Sequence, residues 1–72
     1  MDSARAFTAV IKRDGPWWIG WIEEIPGVNS QGETREELLA NLRSALEEAI
    51  EMNREEALAS AHAGYSEESI AL

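Results

Sequence analysis

Residues 17 to 24 read W-W-I-G-W-I-E-E, and a break stands at each end, Asp14-Gly15-Pro16 before and Ile25-Pro26-Gly27 after. Aromatic and β-branched side chains suit a pleated, half-buried strand, whereas proline lacks the N–H that a ladder needs. The run therefore reads as a strand forced to turn at both ends. Period-two geometry puts Trp17, Ile19 and Trp21 on one face and Trp18 and Ile22 on the other, and both faces are expected to find cover.

Upstream, Phe7, Ala9 and Ile11 alternate with Thr8, Val10 and Lys12, which predicts a first strand over 5–13 joined to the strand over 17–24 by a hairpin. Residues 28–32 form a short third strand. Thr34, with Glu37 three residues on, is a capping box: the hydroxyl accepts an orphan amide proton and the glutamate reaches back to the cap residue. A helix is thus expected over 35–62, with Leu38, Leu42, Ala45, Leu46, Ala49 and Ile50 in one stripe and Glu47, Glu48 and Glu51 mainly on the other side. Gly64 suits its end. The tail has the composition for a further strand over 67–72, on this sheet or a neighbour's, with fraying as the plain alternative. The whole is one α+β domain, residues 1–72, in the order β-β-β-α.

Such a chain has little with which to build a core. Eleven of its hydrophobic residues are alanine, and the 72 residues contain no cysteine. A core of this size supplies only about 3 to 5 kcal/mol, so oligomerisation, to a dimer at least, is the expected remedy. The C-terminal segment and the edge of the first strand are the expected points of pairing. No apolar run approaches the ~20 residues of a membrane span, and no signal-peptide core opens the sequence, so a cytoplasmic location is expected. The net charge of -8 repels phosphate backbones and favours a basic protein partner over nucleic acid. That charge is uneven, since residues 1 to 13 carry one aspartate against Arg5, Lys12 and Arg13.

The residues argue against an enzyme. Fourteen carboxylates suggest two-metal chemistry at first sight, but most glutamates occupy solvent-facing helix positions, and Asp14, Glu23 and Glu24 lie at a turn or strand end. His62 is the one histidine; it has no second histidine or cysteine to complete a ligand set, and reads as a helix-terminus cation. No serine stands in a nucleophile elbow, and the glycines form no phosphate loop. No cofactor or metal is expected.

The stretch D-G-P-W-W-I-G-W-I-E-E-I-P-G-V-N-S-Q-G-E-T-R-E-E-L-L-A-N-L, residues 14 to 42, resembles the N-terminal domain of HicB-family antitoxins. Four features carry the likeness: the Asp-Gly turn, the aromatic strand ending in Ile25-Pro26-Gly27, the Ser30-Gln31-Gly32 segment, and Thr34 with Glu36-Glu37 opening an amphipathic helix. It extends upstream through Ala9 to Lys12 and downstream through Glu48 to Glu51, while the last dozen residues match only loosely. The resemblance implies a partial ribonuclease-H-like fold that binds HicA, a small basic messenger-RNA-cleaving toxin, and occludes its active site. Val28 stands where members of that family often have cysteine, an exchange of one small buried residue for another. Many members also carry a C-terminal DNA-binding segment, for which no counterpart follows Ala63, so direct DNA binding is not expected.

Three tryptophans within five residues cannot all be buried in so small a core, and aromatic side chains dominate interface energetics. Trp17, Trp18 and Trp21, with the acidic Glu23, Glu24, Glu47 and Glu51, are therefore the candidate partner contacts. The rival expectation is a self-associating orphan module with no toxin partner.

Overall fold

A computed structural model describes residues 6 to 71. Three strands, β1 (Ala9–Asp14), β2 (Trp17–Ile22) and β3 (Asn29–Gly32), precede one helix, α1 (Arg35–Ala61). The sheet is antiparallel in the order β1-β2-β3, so the architecture is the expected α+β, β-β-β-α arrangement.

Each turn has a local cause. Asp14 pairs with Trp17, leaving a two-residue loop in which Gly15 takes φ 62 ahead of Pro16. A positive φ followed by proline's fixed negative one is the sign pattern of a type II′ hairpin, whose twist matches that of the strands. The second turn uses Gly27 at φ 90 and is closed by the Ile22 N–H donating to the Val28 carbonyl at 3.0 Å.

The β1–β2 ladder runs on beyond Ala9: the Glu23 N–H donates to the Thr8 carbonyl at 2.9 Å, and the Thr8 N–H donates to Glu24 Oε1 at 2.8 Å. A glutamate side chain thus takes the place of a backbone acceptor where regular pairing ends. The expected strand over 5–13 is regular from Ala9 to Asp14, and Arg5 lies outside the described residues.

At the helix start, Thr34 Oγ1 accepts from the Glu37 N–H at 3.0 Å. The returning half of the box differs from expectation: the Glu37 carboxylate accepts from the Glu33 N–H at 2.7 Å, one residue before the cap. Glu37 therefore satisfies an amide of the β3–α1 connection and fixes how the chain enters the helix. Replacing Thr34 by alanine is expected to cost about 1 kcal/mol, read as a lowered urea midpoint with unchanged slope.

α1 covers one face of the sheet. Ile22, Val28, Leu38 and Leu42 are the buried core, flanked by Phe7, Ile11, Trp18, Ile25, Ala45, Leu46 and Ala49. Val28 is buried, in keeping with its reading as a small interior residue. The Asn41 side-chain amide donates to the Gln31 carbonyl at 2.9 Å and ties the helix to β3. A 27-residue helix is about 40 Å long, twice the length of a six-residue strand, so its C-terminal part overhangs the sheet. From Glu51 to Ala61 only Leu58 is even half-buried. The helix ends at His62, which adopts φ 62 and donates its N–H to the Ala59 carbonyl, two residues ahead of Gly64. The tail does not add to the sheet: residues 67–71 form no strand, and Leu72 lies outside the described residues.

Candidate functional site

The structure distributes the seven candidate contacts over different surfaces. Trp17 and Trp21 point away from the helix and stay 39% and 42% exposed. Contrary to the expectation of cover on both sides of β2, the helix shields only the Trp18 and Ile22 side. Trp18 packs against the core, its ring 5.5 Å from the Arg13 guanidinium across the β1–β2 ladder, a cation–π pair. Alternation alone separates Trp18 from its neighbours; which side the helix takes is a tertiary fact.

Glu24 is engaged within the chain, and the Thr8 backbone N–H beside it holds its carboxyl below the usual carboxylate range. It stays ionised under conditions where a free glutamate begins to protonate. Glu23 next to it is exposed, with its backbone in the ladder.

Glu47 and Glu51 lie on α1, on the opposite side of the molecule from Trp17 and Trp21. Glu47 borders an open groove of about 380 Å³ between the helix and the start of the chain's first strand, together with Phe7, Arg43, Leu46 and Ile50. Glu51 approaches Arg54 at 3.8 Å, and Arg54 also approaches Glu67 of the tail at 3.7 Å. Both contacts are exposed and long, so they contribute little. Glu47, Glu48, Glu51, Glu55 and Glu56 crowd ten residues of helix in which Arg54 is the single basic residue. Most of this acidic segment belongs to the overhang. Five carboxylates against one guanidinium leave this stretch strongly anionic.

Among the described residues, no group of three or more His, Asp or Glu side chains is placed to hold a metal, and no helix is long and apolar enough to cross a membrane. No family model, curated protein or solved structure matches the chain.

Proposed function

We propose that the chain is an antitoxin-like protein of the cytoplasm that binds a small basic messenger-RNA-cleaving toxin and covers its active site, as the HicB resemblance implies. The observation that supports this reading is the acidic stretch of α1, with Glu47, Glu51 and their neighbours exposed along one helix. A groove that holds RNA phosphates is lined with cations, and a row of helical carboxylates offers the same charge at fixed spacing. Opposite charge raises the encounter rate from about 10⁵–10⁶ to as much as ~10⁸–10⁹ M⁻¹s⁻¹ at low salt. The affinity itself comes from what is buried on docking. The net charge of -8 that suits such a partner also disfavours RNA or DNA as a direct ligand.

The test is co-expression with the small basic open reading frame adjacent to the gene, followed by size exclusion and an RNA-cleavage assay. A stable complex with cleavage abolished is the expected result. Reversing two charges, Glu47→Lys with Glu51→Lys, should then slow association at least about tenfold at low salt and flatten its salt dependence. No complex and no protection would discard the proposal and leave a self-associating module without a toxin partner.

A further inference from the structure

The sheet face turned away from α1 carries two exposed tryptophans and finds no cover among the described residues. Strand register places Val10, Trp21 and Asn29 in one row across the three strands and Lys12, Ile19 and Gln31 in the next, with Trp17 beside Asp14 at the hairpin end. Val10 and Ile19 are half-buried by these neighbours, and the two indoles flank Ile19 at either end of β2. The helix side of the sheet, by contrast, contains the whole buried core.

We infer that this face is the contact between two copies of the chain, packed sheet against sheet about Ile19. Charge selects the occupant. Each copy carries -8, and like-charged chains associate most readily through surfaces poor in carboxylates. The strand positions of this face hold one cation, Lys12, and one anion, Asp14, at the turn end, and Glu23 follows Trp21 on the same side where the ladder runs out. A basic partner gains little from a face whose charges nearly balance and much from the helix on the other side. A second copy loses little here, because the charge-bearing helices end up outermost, separated by two sheets.

Area sets the strength. Strand length and spacing give a face of about 20 by 15 Å, which buries on the order of 450 Å² per copy once side-chain relief is counted. The pair then buries roughly 900 Å², close to the ~1,000 Å² at which specific contacts begin and short of the ~1,600 Å² of a standard one. The dimer is therefore concentration-dependent, with four layers in the order helix, sheet, sheet, helix. It does not depend on the toxin-binding reading, which uses the opposite side of the molecule.

The test is sedimentation velocity on the full chain from about 2 to 200 µM, at low and at high salt. A monomer–dimer equilibrium is expected, strengthened by salt because screening weakens repulsion between the acidic copies. A complex with a basic partner responds in the opposite sense. Trp21→Lys and Trp17→Lys should each raise the dissociation constant at least about tenfold, with the helical circular dichroism of the monomer retained. Independently of any substitution, dilution through the transition should red-shift the tryptophan emission as Trp17 and Trp21 meet water. A chain monomeric at 200 µM, a dimer untouched by either substitution, or a dimer abolished by removing residues 65 to 72 alone would each overturn the inference.

Discussion

Replacing Leu38 by alanine should leave the chain without a cooperative fold at room temperature. Leu38 is 0% exposed and Leu42 2%, and with Ile22 and Val28 they are the entire buried core of the described residues. Truncating a buried leucine costs about 2 to 5 kcal/mol, the lost transfer energy plus the cavity left behind. A core this small supplies roughly 3 to 5 kcal/mol in total, so a single truncation consumes most of the stability. Leu38 also lies one turn from the capped helix start and against β3, so the cavity would open where the helix is anchored to the sheet. Urea titration followed by tryptophan fluorescence checks this: Leu38→Ala should show no native baseline, while Leu38→Met, which preserves volume, should lose less than about 1.5 kcal/mol. A Leu38→Ala protein within 1 kcal/mol of the parent would mean that the helix is held by something other than this packing.

Gly32→Ala is the second large effect, and its cause is steric. A Cβ at Gly32 would lie 2.6 Å from the Leu38 backbone nitrogen and 3.1 Å from the Glu37 carbonyl carbon. Neither is the tip of a side chain that can swing aside, so the first turn of α1 would have to lift from β3. Overpacking of this kind typically costs about 1 to 3 kcal/mol, and the chain has little to spare. Gly27 makes the informative comparison: a Cβ there meets open space, and only its φ of 90 opposes a side chain. Thermal unfolding of the two alanine variants should therefore rank Gly32→Ala as the more damaging. The reverse order would place the helix farther from β3 than the contacts here require.

The elements were legible in the sequence wherever a local rule acted alone. Asp14-Gly15-Pro16 and Ile25-Pro26-Gly27 mark turns because glycine and proline act through their own backbones, and Thr34 marks the helix start because its hydroxyl reaches an amide three residues away. What lay out of reach depended on partners distant in sequence. Alternation groups Trp17, Ile19 and Trp21 without saying what lies over them. The signal that does say so is the shortage of apolar helix: one stripe, on one helix, cannot cover two faces of a sheet. Helix propensity carries Arg54 to Ala61 onward without revealing that no sheet lies beneath. The candidate contacts divided for the same reason, since charge and aromatic content identify residues suited to interfaces but not which of them share one. Glu24 shows the limit most clearly, because nothing in sequence marks the amide of Thr8, sixteen residues earlier, as its partner.

The overhang of α1 gives the molecule two distinct stabilities. Roughly two-fifths of the helix, from Glu51 to Ala61, opens and closes with the helix–coil energetics of a peptide, while the part over the sheet opens only when the core does. Helical ellipticity therefore declines gradually on heating before any cooperative loss, whereas Trp18, packed on the core side, reports the cooperative event alone. The two probes should disagree in a protein whose core is strictly two-state, and the disagreement measures the free length of the rod rather than a folding intermediate.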